Sequence, residues 1–392
     1  MSSTYLYLRK THGGNIGILQ DKMEVLLLQL ETCRRRQQPQ QLPPPPLLQP
    51  QTPPQHPQRQ RRRQERIFWQ RTTFLGLRVQ ESIRTYRLNR KSILCLLHHI
   101  VPDITAKLQT PNNIPPITNL LAGLQMLASG SFQTTRALVA GVSQPSFSVF
   151  LPKVLDAIIC LTHRHIWFRN TQQMQQETKQ GSYLIAGFRH VLGAMDCTHV
   201  QIVPPAATEQ IYRNQKHVHS INVQAIVDYR GLFMNIVAKY PGSIHDAFIF
   251  RHSRINERFQ DGQYGNGPFV ADQGYRIQPW VMTPSAKPNT AEKRAYNEGH
   301  HQTPNVVERT FGILKSRFRY LDLTGGSLLY APPILCKIIL TCAILHNICV
   351  QMNVPLDNQF AVPPEEEEDS ADDLEGGTSQ NSCWGTPETK YC

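Results

Sequence analysis

The chain has 392 residues and a formal net charge of +12 at pH 7. That length leaves room for two domains with a substantial core. Nine cysteines without CxxC pairs or zinc-finger spacing argue against a zinc-finger protein, and the N-terminus lacks a secretory signal pattern. We therefore expect reduced thiols inside the cell and no secreted disulfide scaffold.

The charge is divided unevenly along the chain. Residues 361–392 carry nine acids and one lysine, a net charge of −8, which leaves +20 on the rest. A body of this charge suits a polyanion, and nucleic acid is the favoured partner. A charge that serves solubility alone is the alternative. The tail, residues 351–392, is predicted to be acidic and disordered because its carboxylates repel one another.

Residues 1–66 are predicted to be disordered. Between Gln37 and Gln60, nine of 24 residues are glutamine and nine are proline, a composition that cannot bury a core. Arginine runs at 34–36 and 61–63 flank this tract. They suit a nuclear-import signal or a phosphate-binding arm, and a solvated basic tail is the alternative. The expected compartment is the nucleus, with the cytoplasm as a second location.

Residues 67–170 are predicted to form an all-helical domain. Apolar spacing predicts helices over Ser92–Ile100 and Ile117–Ala128. Ser131 begins a short helix that ends near residue 140, the glycine at 141 makes a turn, and Ser143 caps the next helix with Pro145 in its first turn. This order resembles a helix-turn-helix module.

The second of these helices has the wrong side chains for reading bases. Phe147, Val149 and Phe150 occupy it, and Pro152 is expected to interrupt it. Direct readout uses arginine, asparagine or glutamine on that face. A helical packing domain is therefore the alternative to a DNA-reading module.

Residues 185–350 alternate between strand and helix signals. An apolar run enters Asp196, a second strand covers 221–227, and a third covers 232–238, so the three form an antiparallel meander. A short helix over 246–254 and a buried strand over 268–271 follow. Thr303 then caps a long helix, on which Val307, Phe311, Leu314 and Phe318 form an inward stripe. The apolar stretch 333–350 is interrupted by polar residues, which favours a buried helix over a membrane span.

Four acids follow or begin these elements: Asp196, Asp246, Asp272 and Glu308. Six short motifs around them occur in a fixed order: GAMDCTH (193–199), HSINVQ (219–224), PGSIHD (241–246), DQGY (272–275), ERTFGILKSRF (308–318) and LHN (345–347). Residues 185–350 resemble the DDE endonuclease domain of PIF/Harbinger transposases. The resemblance implies an α/β (α+β) chain with a ribonuclease H-like nuclease domain, preceded by the helix-turn-helix-like domain. It also implies a Myb/SANT-like nuclear partner; a homo-oligomer is a further expectation.

The family's chemistry gives the four acids roles. Phosphodiester hydrolysis needs an activated water and a charge on the leaving oxygen, which two divalent metal ions supply. The resemblance implies Asp196, Asp272 and Glu308 as catalytic residues, with Asp246 added as a fourth ligand for Mg²⁺ or Mn²⁺. The alternatives are a helix N-cap for Asp246, a turn residue for Asp272 and an exposed helical position for Glu308.

Five basic side chains are candidates for contacts to nucleic acid: Lys216, His219, Lys315, Arg317 and Arg319. The last three also suit the solvated face of the long helix. The predicted function is that of a transposase-derived nuclease that cuts DNA without autonomous transposition. A catalytically inactive nuclear protein that binds DNA or a partner is the alternative. A zinc hydrolase is disfavoured because no HxxxH-type spacing occurs.

Overall fold

The computed structural model describes residues 74–105, 114–131, 140–168, 171–188, 190–264, 267–302, 305–322 and 330–356. Several predictions lie outside these residues. They are the disordered N-terminal region, most of the acidic tail, most of the helix predicted after Ser131, and the Thr303 cap.

Six helices precede the sheet in the described part of the chain. They are α1 (Val79–Tyr86), α2 (Arg90–Thr105), α3 (Pro116–Ser129), α4 (Gln144–Ile159), α5 (Thr162–His165) and α6 (Gln172–Ala186). The two helices predicted from apolar spacing lie within α2 and α3. Ser143 caps α4, where its hydroxyl accepts from the Ser146 N–H at 3.3 Å, and Pro145 lies in the first turn as predicted.

Pro152 does not interrupt α4, so that prediction was wrong. A proline inside a helix costs about 3 kcal/mol, because it removes one hydrogen bond and crowds the preceding turn. Here Phe147, Leu151 and Leu155 are buried on both sides of the proline. Each such side chain contributes roughly 1.5–3 kcal/mol on burial, which together exceeds that cost. The helix therefore continues to Ile159.

A five-stranded mixed sheet forms the centre of the molecule. Its strands are β1 (Gly193–Gln201), β2 (Ser220–Val227), β3 (Phe233–Pro241), β4 (Phe269–Ala271) and β5 (Val281–Met282), in the order β3-β2-β1-β4-β5. Pairing is antiparallel from β1 through β3, as predicted, and parallel from β1 through β4 to β5. Asp196 lies inside β1 and not at its end, because pairing with β2 carries the strand five residues further, to Gln201.

Six more helices follow β1. They are α7 (Glu209–Tyr212), α8 (Asp246–Arg251), α9 (Arg254–Gln260), α10 (Ala291–Gln302), α11 (Asn305–Arg317) and α12 (Pro332–Gln351). The single helix predicted over 246–254 is divided between α8 and α9. The division falls at Ser253, whose hydroxyl accepts from the Asn256 N–H at 3.3 Å and so caps α9. Sequence analysis did not predict α10 or β5.

Each face of the sheet packs against a different helix. Ala194 and Val200 of β1 share a hydrophobic cluster with the inward stripe of α11, whose four predicted members are all buried. Met195 points to the opposite face and packs with Phe259 of α9. We call these the α11 face and the α9 face. Because side chains alternate along a strand, Asp196 belongs to the α11 face and Cys197 to the α9 face.

Helix α12 packs in the interior, as predicted for residues 333–350. By length and composition it is the one helix of the described residues that could cross a membrane, but 67% of its apolar window is buried inside the protein. Lys337, which interrupts the apolar run, forms an ion pair with Asp156 of α4 at 2.7 Å. These contacts fit the core helix of a folded domain.

Two polar residues of α12 fasten the β2–β3 hairpin. Asn347 accepts from the Phe233 N–H at 2.9 Å and donates to the Phe233 carbonyl at 2.8 Å and the His165 carbonyl at 2.7 Å. His346 donates from Nε2 to the Gly231 carbonyl at 3.0 Å, and burial lowers the pKa of this imidazole to about 3, so it is neutral. The LHN motif is therefore a structural clamp between α12, β3 and α5.

We expect Asn347→Ala to lower the free energy of unfolding by about 3 kcal/mol, because the change leaves three buried backbone groups without a partner. Thr341→Val on the same helix is the matched control. Its buried hydroxyl has no hydrogen-bond partner among the described residues, so the variant should be neutral or slightly more stable. Chemical denaturation of both variants measures the difference. Equal losses of stability would contradict the clamp.

Candidate active site

Asp196 and Asp272 lie side by side on the sheet. Met195 pairs with Ala271 in the parallel β1–β4 ladder, so each carboxylate comes one residue after a paired position. β4 ends at Ala271, and Asp196 is therefore the first residue of β1 beyond the parallel pairing with β4. Asp272 is exposed, and its Oδ1 accepts from the Gly274 N–H at 3.1 Å. The turn predicted as an alternative role for Asp272 is thus present beside the carboxylate.

Glu308 lies in the first turn of α11, and its side chain is exposed. Buried Val307 and Phe311 on the same helix pack against the α11 face of the sheet. The helix therefore carries Glu308 to the face on which Asp196 lies.

Asp246 begins α8 and lies over the α9 face. Its Oδ1 accepts from Asn222 Nδ2 at 2.7 Å, and its carbonyl accepts from Gln224 Nε2 at 3.1 Å. The N-cap of α8 is His245, which makes no capping hydrogen bond through its side chain. The N-cap alternative for Asp246 was therefore wrong. Asp246 is the first residue of the helix and is held by two amides of β2.

The four carboxylates share one electrostatic neighbourhood. Burial, together with the charges of Asp272, Glu308 and Asp246, raises the pKa of Asp196 to about 7 against the opposing hydrogen bond from the Cys197 N–H at 2.7 Å. The pKa of Asp272 is also raised, by burial and by Asp246, against the opposing Gly274 N–H and His300. The charges of the other three acids thus act on Asp196 in the folded chain, although Asp246 lies over the α9 face of the sheet and Asp196 belongs to the α11 face.

Oxygen ligands of this type suit a hard divalent cation. No lysine or arginine of the described residues forms an ion pair with any of the four carboxylates. Within the described residues, repulsion among them is therefore not relieved by an ion pair with lysine or arginine. As they stand, however, no three Asp, Glu, His or Cys side chains in the described ranges are grouped closely enough to enclose an ion. The donor chemistry fits a metal, and the spacing is wider than that of a closed site.

A buried polar network under the site was missed by the sequence analysis. Tyr275 OH lies 3.3 Å from Cys197 Sγ and accepts from Gln224 Nε2 at 3.0 Å. Burial raises the pKa of the Cys197 thiol, so it is neutral and unsuited to act as a nucleophile. The network joins β1, β2 and the loop after β4. Polar residues at alternate positions of the otherwise apolar β2, Asn222 and Gln224, are the sequence signal that could have revealed it.

Two of the five basic candidates are engaged in the protein interior. Arg317 is only 5% exposed, and its guanidinium donates to the Val354 carbonyl at 3.4 Å, so it leaves the set of candidates for contacts to nucleic acid. Lys315 donates from Nζ to Thr198 Oγ1 at 2.8 Å and to the His199 carbonyl at 3.2 Å, and burial lowers its pKa. Lys315 therefore ties α11 to β1 instead of standing on a solvated helix face.

The other three basic candidates are more accessible. Lys216 is exposed, Arg319 is half-buried, and His219 Nε2 lies 3.2 Å from Glu209 Oε1. His199, beside Asp196 in the sequence, has its Nδ1 2.9 Å from Ser220 Oγ. Burial and the charges of nearby lysines lower its pKa, while Asp246 raises it. Neutral His199 is thus held by a hydroxyl, which agrees with a structural histidine.

Comparisons with a family profile and with known proteins agree on one family. The profile described as DDE superfamily endonuclease matches residues 195–347. The human and bovine proteins named "Putative nuclease HARBI1" are each 34% identical over 295 residues, which covers 74% of this chain and 84% of each relative. "Protein ALP1-like" from Arabidopsis thaliana is 24% identical over 298 residues, covering 70% of this chain and 72% of the relative. No solved structure matches.

Proposed function

Since the chain belongs to the DDE superfamily endonucleases related to Harbinger transposases, we propose that it is a nuclease that hydrolyses phosphodiester bonds of DNA with divalent metal ions, without autonomous transposition. One observation carries the proposal: three carboxylates from separate elements all act on the pKa of Asp196. Such a cluster is costly for a protein that does not bind a cation there.

The nuclease unit is proposed to span residues 185–350 with a ribonuclease H-like fold. An antiparallel meander on one side of β1 and parallel strands on the other support this assignment. A helical unit over 67–170, helix-turn-helix-like in outline, is proposed to precede it. The exposed face of α4, formed by Gln144, Ser148, Val149 and Lys153, has one basic side chain, so base readout by this helix has little support.

Asp196, Asp272 and Glu308 are proposed to hold the metal ions, with Asp246 as a fourth ligand. Bound Mg²⁺ or Mn²⁺ supplies an activated water and neutralises the charge on the leaving oxygen. The chain itself orients the ligands. The Cys197 N–H fixes one oxygen of Asp196, the Gly274 N–H fixes one oxygen of Asp272, and the amide of Asn222 fixes Asp246.

The proposed partners follow from the same function. DNA is the substrate, and the exposed Lys216 and half-buried Arg319 are the basic side chains best able to meet its phosphates. A Myb/SANT-like nuclear protein is proposed to deliver the nuclease to its target, because α4 offers few groups that read bases. A homo-oligomer, and residence in the nucleus with a cytoplasmic fraction, complete the proposal.

Titration of Mn²⁺ into the full chain, followed by nicking of supercoiled plasmid DNA, tests this function. We expect saturable Mn²⁺ binding and metal-dependent nicking. A chain that binds DNA but neither binds Mn²⁺ nor nicks is the second candidate, an inactive protein of transposase origin. The titration decides between the two.

Asn222 is expected to be a positioning residue for Asp246. Asn222→Ala removes the amide that donates to Asp246 Oδ1 and to the Ile244 carbonyl, so Asp246 should lose its fixed direction. Loss of such a supporting contact typically weakens metal binding by ~10–100-fold. We therefore expect the Mn²⁺ concentration for half-maximal nicking to rise by that factor, with a smaller change at saturating Mn²⁺.

Asn256→Ala is the matched control for this change. Asn222 and Asn256 are each 1% exposed, and both amides bind carbonyl groups, but Asn256 lies in α9 beside Trp280. Its replacement should lower thermal stability without altering the Mn²⁺ dependence. If both variants shift the Mn²⁺ dependence equally, the effect of Asn222 is one of general stability and not of positioning.

A further inference from the structure

A row of aromatic and basic side chains lies on the surface along β3 and α8. We call Lys239, Tyr240, Phe248 and His252 the aromatic strip. The Phe248 ring is 42% exposed and lies against His252, with ring centroids 4.0 Å apart. Tyr240 meets Phe248 edge-on at 6.2 Å, and Lys239 Nζ lies 5.1 Å from the centre of the Tyr240 ring. The strip thus combines partly exposed aromatic rings with the cationic side chain of Lys239.

The strip adjoins Asp246, the candidate ligand that lies over the α9 face of the sheet. Tyr240 is the partner of Asn222 in the β2–β3 ladder, and Asn222 holds Asp246. Side chains of paired residues lie on the same face, one strand spacing of about 4.8 Å apart. Phe248 comes two residues after Asp246 in α8. β3 is an edge strand of the described sheet, so the strip extends from Asp246 toward the outer edge of the sheet.

We propose that the aromatic strip binds unpaired nucleobases of DNA next to the bond that is cut. This inference rests on the proposed nuclease function and specifies its substrate as DNA with locally unpaired bases. Aromatic side chains stack on any base, but only when its face is not covered by neighbours in a duplex. Lys239 and exposed Arg251 supply positive charge for the adjoining phosphates. The charge of +20 outside residues 361–392 favours DNA over a protein surface as occupant.

Binding measurements on the full chain test the proposal. Asp196→Asn serves as the background, so that no probe is cleaved. The probes are a fluorescent DNA duplex, the same duplex with a short bubble of unpaired bases, and the bubble duplex with 2-aminopurine in the bubble. We expect tighter binding to the bubble than to the duplex, and quenching of 2-aminopurine as it stacks.

Phe248→Ala should weaken binding to the bubble by ~10-fold or more, abolish the quenching and leave duplex binding unchanged. Phe248→Leu keeps an apolar side chain without the π face and should behave in the same way. Tyr183→Ala is the matched control, since Tyr183 is a tyrosine of nearly the same exposure, 43%, on α6. It should retain bubble binding and quenching.

Three results would overturn the proposal: unchanged quenching in Phe248→Ala, an equal loss of duplex and bubble binding, or conversion of an oligomer of the parent to a monomer by Phe248→Ala. The last would assign the strip to contacts between copies of this chain. Failure of the nuclease function is seen separately, in the Mn²⁺ titration. If the chain stacks bases through Phe248 but binds no Mn²⁺, the proposal for the aromatic strip stands and the proposed nuclease function fails. If the chain binds Mn²⁺ but does not stack bases through Phe248, only the proposal for the aromatic strip fails.

Discussion

Asp196→Asn and Glu308→Gln should each abolish Mn²⁺ binding and lower the rate of plasmid nicking by ~10³-fold or more, as removal of groups at a reacting centre generally does. Both changes keep the size of the side chain and remove one negative charge. Asp196 is the residue on whose pKa the other three acids act, so its loss removes the centre of the cluster. Glu308 reaches the same face from α11, and no other acid on that helix could replace it.

Glu257→Gln is the control for Glu308→Gln. Glu257 is an exposed glutamate in the first turn of a helix, as Glu308 is, but it lies on α9. Isothermal titration with Mn²⁺ and nicking assays on the parent and the three variants are compared under one condition. The result expected is parental behaviour for Glu257→Gln alone. Residual Mn²⁺ binding in both site variants would show that the ion binds elsewhere and would remove the basis for the proposed mechanism.

The parts of this site that sequence could predict are those set by local pattern. An apolar run that meets a carboxylate, as at Ala271 before Asp272, indicates a buried strand with a functional end. The inward stripe of α11 follows from the period of an α-helix. It predicts which side of the helix the Glu308 side chain leaves, to within one residue position. The order of the six short motifs along the chain then indicates the family. These signals are visible without knowing which helices and strands pack against one another.

What the sequence could not give depends on long-range packing. The part of β1 beyond Asp196 is held by pairing with residues of β2 that lie 19 to 27 positions later in the chain. Arg317 is charged, yet it is buried because the Val354 carbonyl accepts its hydrogen bond from beyond the end of α12. Asn222 becomes a support for Asp246 only when α8 folds back over β2. In each case the partner lies far away in the chain, where periodicity carries no information.

The contribution of Asp196 to the stability of the metal-free protein should fall as the pH rises, and the difference in stability between the parent and Asp196→Asn isolates that contribution from the opposite one of buried His346. The ordinary pKa of an aspartate here is 3.8, and in the folded protein that of Asp196 is about 7. Between these values the carboxyl of Asp196 holds a proton in the folded chain that it has released in the unfolded chain, so its contribution to the free energy of unfolding decreases from about pH 4 to about pH 7 and then levels off. The difference corresponds to about 4 kcal/mol for this one group.

Denaturation with EDTA at pH 5 and pH 8 measures the effect. Asparagine cannot ionise, so at pH 8 Asp196→Asn should be more stable than the parent by a few kcal/mol, and by less at pH 5. Mn²⁺ should then stabilise the parent at pH 8 and leave the variant unchanged, because an ion that binds only the folded state shifts the equilibrium by mass action. Asp261→Asn, at an exposed position after α9, should follow the parent throughout. If the free energy of unfolding depends on pH in the same way for the parent and Asp196→Asn, then Asp196 ionises in the folded protein without an energetic cost. That result would contradict the argument that this carboxylate needs a cation.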